Sequence, residues 1–266
     1  MEKPLDAFWT GFHLTTGVRI TGLKENEERP AWSHQQIRQI FLHPVWTGRK
    51  SAYFYNSAGP VIVRDALYWC PLIAAYSAMR REEFAQLKVK HVRHLHDVWV
   101  FDLRHIEVDV KTDSSPRYVP VHKVILGLRF IEEMVEGRNA DEQLFVELKP
   151  SESHDAFGDP VGNRFSRVID TLGLVLIRAN GTEADGVFHP FRHRLVTDLM
   201  KAGVPGGIVD GITGHRSDDR RTERSRYTED AHVRELKAAV DRLELPIDTA
   251  LLAQRWKQLG VSRKAR

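Results

Sequence analysis

The stretch FHPFRHRLVTDLMKAGVP, residues 188–205, carries its own helix boundaries. Pro190 suits the first turn of a helix, where its missing N–H costs nothing, and Gly203 suits the position just past the end. The pattern therefore predicts one helix between them. His189 and Arg192 stand three apart at its start, a spacing that puts both on one face. The uncapped backbone amides of a first turn add a further attraction for an anion, so the segment reads as an anion-binding helix start.

Upstream, residues 66–78 are apolar on nearly every side. In a water-soluble chain this predicts a central buried helix, kinked or begun near Pro71. Arg80 follows its end directly, and Glu82 and Glu83 fall where carboxylates favour the dipole of a new helix. Ser33 and Gln36 form a capping-box pattern ahead of Ile37, Ile40 and Phe41, so a domain is expected to begin near residue 31, after the charged run 24–30 closed by proline. Between 89 and 121 the texture changes to alternating β-branched residues (Val98, Val100; Ile106, Val108, Val110; Val119, Val121), with a turn at 113–116, which predicts a small antiparallel sheet. Helical patterns then return. The expected fold class is mainly α with a small antiparallel β-sheet, an α+β architecture.

Composition narrows the function classes. With 42% hydrophobic and 28% charged residues in 266, the chain is an ordinary globular sequence rather than a disordered or fibrous one. The longest charge-free run, 66–79, is shorter than the roughly 20 residues of a membrane span, and no secretory signal opens the chain, so a cytoplasmic protein with no membrane partner is expected. The single cysteine, Cys70, sits in an apolar run and reads as a buried structural thiol. A net charge of +3 and a pI near 9.0 favour a polyanionic partner only mildly. The local cluster Arg216, Arg220, Arg221, Arg224 and Arg226 says more, and is read as contacting a DNA backbone.

Two further polar signatures flank residues 188–205 in fixed order: Arg80 with Glu83 before it, and Gly214, His215 and then Tyr227 after it. The segments YSAMRREEFAQL (76–87), VKTDSSPRYVPVH (110–122), FHPFRHRLVTDLMKAGVP (188–205) and ITGHRSDDRRTERSRYTED (212–230) together resemble the tyrosine recombinases of the phage integrase family. The resemblance spans most of residues 32–245 and implies the catalytic-domain fold of that family. It implies Arg80 as the first arginine, Lys111 as the lysine of the β-hairpin, His189 and Arg192 as the His-x-x-Arg pair, His215 as the later histidine and Tyr227 as the nucleophile. Glu83 corresponds to the acidic residue that supports the site. Twelve positions separate His215 from Tyr227, a little more than is common in the family. Tyr76 and Tyr118 are the competing hydroxyls, and both are expected to be packing residues.

The chemistry agrees with this assignment. Phosphodiester cleavage builds negative charge on the nonbridging oxygens, and planar guanidinium forks meet it better than ammonium groups. A tyrosine hydroxyl with a reference pKa near 10 needs a proton acceptor at neutral pH, a role assigned to His189. His215 then donates a hydrogen bond to the phosphate, and Lys111 protonates the departing 5′ oxygen. No metal and no other cofactor is called for. The resemblance further implies double-stranded DNA as partner and a homo-oligomer, a tetrameric synapse, on it. Residues 1–30 read as a linker or the remnant of an N-terminal DNA-binding domain, 31–245 as the catalytic domain and 246–266 as a tail. The apolar stripe Val233, Leu236, Val240, Leu243, continued by Leu251, Leu252 and Trp256, must be buried either on its own domain or, as the resemblance implies for the tail, on a neighbouring protomer.

Other readings are a DNA-binding relative without catalysis, which an altered arginine or a missing tyrosine would signal, and a tyrosine-type topoisomerase or telomere resolvase, which would relax plasmid without site preference. A metal-dependent hydrolase built on His91, His94, His96 and Asp97 is disfavoured, because that cluster lies at the turn before a strand and lacks a matched second pair of ligands.

Overall fold

The computed structural model describes residues 30–104, 116–151, 156–178, 180–184, 186–214 and 229–259. Eleven α-helices and three strands lie among them. The first helix, α1 (His34–Phe41), starts at Ser33, whose hydroxyl accepts from the Gln36 amide at 3.2 Å while the Ser33 amide donates to Gln36 Oε1 at 2.9 Å. Its Ile37, Ile40 and Phe41 face the core, as their spacing predicts. The short α2 (Pro44–Thr47) adds the fully buried Trp46.

The centre of the fold is α3 (Ala66–Ser77), of which every residue is buried. The Asp65 carboxylate caps it on the Tyr68 amide, so the helix begins five residues before Pro71 rather than at it, with the proline inside. Neighbours cover it on several sides: α4 (Arg81–Ala85), α7 (Gly158–Thr171) and α8 (His189–Lys201) pack directly against it. Burying a leucine such as Leu72 there stabilises the fold by about 1.5–3 kcal/mol. Cys70 is fully buried, and burial pushes its thiol well up, so it stays a neutral core group. The helix ends at Ala78 in the left-handed region, φ 55°, which reverses the chain toward α4. A non-glycine residue there costs roughly 1–2 kcal/mol.

The sheet is antiparallel, in the order β1 (Val92–Leu95), β2 (Val98–Asp102), β3 (Tyr118–Pro120). Val92 faces Phe101 and Leu95 faces Val98 across the first pair, and Asp102 faces Tyr118 across the second. His96 and Asp97 join β1 to β2 with positive φ at both, the geometry of a tight twisted hairpin turn. The expected strand residues Ile106, Val108 and Val110 lie outside the described residues.

Two short helices, α5 (Lys123–Gly127) and α6 (Phe130–Met134), connect the sheet to α7. Helix α8 runs from His189, with Pro190 in its first turn, to Lys201, and Gly203 at φ 72° follows its end, as the sequence predicts. After α9 (Gly206–Thr213), helix α10 (Glu229–Val240) lies across β3 and α9. Val233 packs with Val98, Val100 and Tyr118, while Leu236, Val240 and Leu243 join the main core. The apolar stripe of α10 is thus covered by its own domain. The last helix, α11 (Thr249–Leu259), rests on α2 and buries Leu252. Its Trp256 ring lies 3.8 Å from the Arg64 guanidinium, which donates to Leu128 O and pairs with Glu133. No helix of the described residues is long and apolar enough to cross a membrane.

Candidate active site

Four of the residues singled out in the sequence fall among the described ones: Arg80, Glu83, His189 and Arg192. They converge where α3 turns into α4 and meets the start of α8 and the end of α9. Arg80 is the N-cap residue of α4 and its side chain remains 31% exposed. Glu83, one turn on, accepts the Arg80 amide at 2.8 Å and lies 3.7 Å from its guanidinium. His189 opens α8 at the surface, and it lines with Arg80 a cleft of about 330 Å³ between α4, α7 and α8. Asn163 and Ser166 of α7 form part of the opposite wall. The N-cap of α8 is Phe188, which has no side-chain oxygen to offer the first-turn amides.

Arg192 is buried where His189 is exposed. It is 3% exposed, and its Nη1 donates to Ala78 O at 2.6 Å while Nη2 donates to Thr213 O at 2.6 Å. One guanidinium therefore ties the C-terminus of α3 to that of α9, neutralising carbonyls that a helix end leaves without intrahelical donors. Burial pushes its pKa down to about 10, helped by Arg117 and Arg80 and opposed by Glu83, so it keeps its charge at neutral pH. The expectation of His189 and Arg192 sharing one face is thus met in spacing but not in depth.

The structure adds Arg117, which the sequence reading passed over. Its Nη1 and Nη2 donate to the two Glu83 oxygens at 3.0 and 2.9 Å, and its Nε donates to Ile212 O at 2.9 Å. Both side chains are almost fully buried. Arg117 stands inside the quoted segment 110–122, directly before β3, but nothing in the alternation there marks it as turned inward.

Burial alone would raise the Glu83 pKa, yet the Arg117 pair, the Arg80 amide and the Arg80 guanidinium outweigh it and hold the carboxyl below its usual value. A folded pKa below the unfolded one of about 4.3 means that the stabilisation is fully present above that pH and lost as pH falls through the folded value. Glu83→Gln is therefore expected to flatten the acid-side loss of stability relative to the unsubstituted protein. Urea midpoints over a series of acidic pH values check this, and parallel curves would contradict it.

The remaining site assignments, Lys111, His215 and Tyr227, lie outside the described residues, as do Arg216, Arg220, Arg221, Arg224 and Arg226. The segment that carries His215 and Tyr227 leaves from Gly214, beside Arg117, and rejoins the described chain at α10. The two competing tyrosines are packing residues. Tyr76 is buried against the His122 ring at 4.3 Å, and burial pushes its hydroxyl up. Tyr118 is buried under the Arg104 guanidinium. In the histidine cluster, His91 turns Nδ1 to the Lys88 amide and His94 packs on Trp99. Among the described residues, no three His, Cys, Asp or Glu side chains gather as a metal-holding group.

The fold and site define an α+β domain in which the buried Arg117 and Arg192 join several helix ends beside a cleft lined by Arg80 and His189. The chain belongs to the phage integrase family, whose family model matches residues 55–233. No curated protein matches it. Among solved structures it is similar to the integrase from mycobacterium phage Brujita, with 16% identity and a TM-score of 0.48 over 85% of this chain and 62% of that one. It is also similar to the Tn1549 transposon integrase in complex with circular intermediate DNA, with 16% identity and a TM-score of 0.44 over 71% of this chain and 60% of that one. The XerA recombinase shares 16% identity, with a TM-score of 0.37 over 75% of this chain and 57% of that one. The chain spans less than two thirds of the length of each.

Proposed function

We propose that this protein is a site-specific DNA recombinase that cuts and rejoins double-stranded DNA through a 3′-phosphotyrosyl intermediate, without a metal. The observation that supports the reading is that Arg80 and His189 line one cleft, with Glu83 buried under Arg80 and Arg192 buried at the end of α9, where the chain departs toward His215 and Tyr227.

In this reading the phosphate sits at the mouth of the cleft, where Arg80 reaches it from the exposed side and Arg192, buried behind, adds its positive charge. His189 takes the proton from the Tyr227 hydroxyl as the tyrosine oxygen bonds to phosphorus. The bond from phosphorus to the 5′ oxygen breaks, and Lys111 supplies the proton that this leaving oxygen needs. His215 donates to a nonbridging oxygen. The phosphotyrosyl ester retains the energy of the broken linkage, so attack by a 5′ hydroxyl reverses the step without ATP. Fixed charges that need no reorganisation are worth far more in such a site than in water. Arg216, Arg220, Arg221 and Arg224 are assigned to the DNA backbone, where contacts add affinity but carry no sequence information directly.

With a nicked suicide substrate, a covalent protein–DNA adduct is expected to form at the same rate in excess chelator. Loss of the adduct in chelator, restored by a divalent ion, would favour a metal-dependent hydrolase instead.

Residues 31–245 are assigned as the catalytic domain and 246–266 as a tail that docks on a neighbouring protomer when several assemble on DNA. In the single chain α11 covers Arg64 with Trp256, so docking on a neighbour requires that contact to open. Removing 246–266 is expected to lower the urea midpoint, because Ile247 and Leu252 leave the core at about 1.5–3 kcal/mol for each such side chain, and to weaken assembly on a two-site DNA. Lower stability with unchanged assembly in native gels would leave the tail with its own domain.

A further inference from the structure

Arg117 ties Glu83 on α4 to the end of α9. Through Glu83 it fixes the turn that presents Arg80, since the same carboxylate accepts both the Arg117 fork and the Arg80 amide. Through Nε it holds Ile212 O, while Arg192 holds the next carbonyl, Thr213 O. Two guanidinium groups thus cap consecutive carbonyls at the end of α9, a favourable place for cations. The following residue is Gly214 at φ 76°, and a Cβ there would stand 2.9 Å from Arg117 Nη1. Its own backbone is fixed as well, with the Arg117 carbonyl accepting Leu103 N at 2.9 Å beside the sheet.

A buried ion pair is a weak device for stability, because desolvation offsets much of the attraction and apolar residues of similar volume often serve as well. What apolar residues cannot supply is a rigid fork that fastens a carboxylate on α4 and a carbonyl on α9 at once. We infer that Arg117 is a positioning residue: it sets Arg80 and the chain's exit toward His215 in register with Arg192, without itself touching the phosphate. The inference rests on the recombinase reading above and adds a functional position to the residues named there, one that acts through Glu83 and α9.

Arg117 also borders the segment that carries Lys111, so two routes of action must be told apart. If Arg117 serves the phosphate clamp, its loss is felt whatever the leaving group; if it serves Lys111, a substrate with sulfur at the 5′ bridging position, whose thiolate leaves without a proton, restores the rate.

The experiment measures single-turnover adduct formation by the full chain on both substrates, with DNA affinity and near-ultraviolet circular dichroism alongside. Absence of adduct with the unsubstituted protein would overturn the recombinase reading itself. Given that adduct, Arg117→Lys is expected to slow its formation about 100-fold, the scale of a small misplacement of reacting groups. The sulfur substrate should recover none of this loss, and affinity for uncut DNA should stay near that of the unsubstituted protein. A folded Arg117→Lys protein with near-normal rate, a loss that appears equally in affinity, or recovery on the sulfur substrate would each overturn the inference. Should Arg117→Lys not fold, Glu83→Gln decides. It keeps the volume and one acceptor oxygen but breaks the two-point pair, and it must show the same unrescued slowing; a normal rate overturns the inference.

Discussion

Arg192→Lys is expected to lose about 100-fold or more in covalent cleavage of DNA and to unfold at a lower urea concentration, although the substitution conserves charge. The reason lies in the two carbonyls that Arg192 holds, Ala78 O and Thr213 O, at the ends of two different helices. A lysine ammonium is a compact charge on a flexible stem and cannot span both with one planar group. Leaving either buried carbonyl without its donor costs about 1–3 kcal/mol. The same change lets the end of α9 drift from the turn after α3, and with it the relation between Arg80 and the chain leaving Gly214. Removing a preorganised donor from a site of developing negative charge costs about 10²–10³ in rate. Paired measurements of denaturant midpoint and single-turnover adduct formation check both halves. Near-normal turnover would show that positive charge alone suffices at this position.

Much of this architecture is legible in the sequence because local chemistry and tertiary position agree. Residues 66–77 lack any polar face, and only a central helix covered by several neighbours can bury such a segment. Ser33 with Gln36, and Pro190 with Gly203, mark helix boundaries through groups that satisfy or terminate backbone hydrogen bonds, so they read correctly without knowledge of the fold. The turn at Ala78 is different. Its left-handed conformation is held from outside, by Arg192 more than a hundred residues later, and an alanine gives no hint of it.

Arg117 shows the same limit at the site. In β3, Tyr118, Val119 and Pro120 are all buried, because α10 covers one face and the core the other. The covering helix is supplied by residues 229–240, so alternation within 110–122 does not show which way Arg117 turns. The likeness of segment order pointed to Arg80, Glu83, His189 and Arg192; in the structure His189 lines a cleft with Arg80, and Glu83 and Arg192 lie buried close to Arg80. Their division of depth, with Arg80 open, His189 at the surface and Arg192 buried, depends on the packing of α8 between α3 and α9, which no local pattern encodes.

The second large effect belongs to Tyr227. Replacing its hydroxyl with hydrogen removes the proposed nucleophile and leaves the arginines, the histidines and the ring in place, so DNA binding should persist while chemistry stops. Neither Tyr76, packed against His122, nor Tyr118, under Arg104, offers a substitute hydroxyl at the cleft. The most direct test is denaturing electrophoresis of the protein incubated with a labelled suicide substrate, with Tyr227→Phe beside it and the DNA affinity of each measured separately. The account predicts a label that stays with the unsubstituted protein through denaturant, is absent from Tyr227→Phe, and accompanies DNA affinities that agree. A denaturant-resistant adduct that persists in Tyr227→Phe would contradict it.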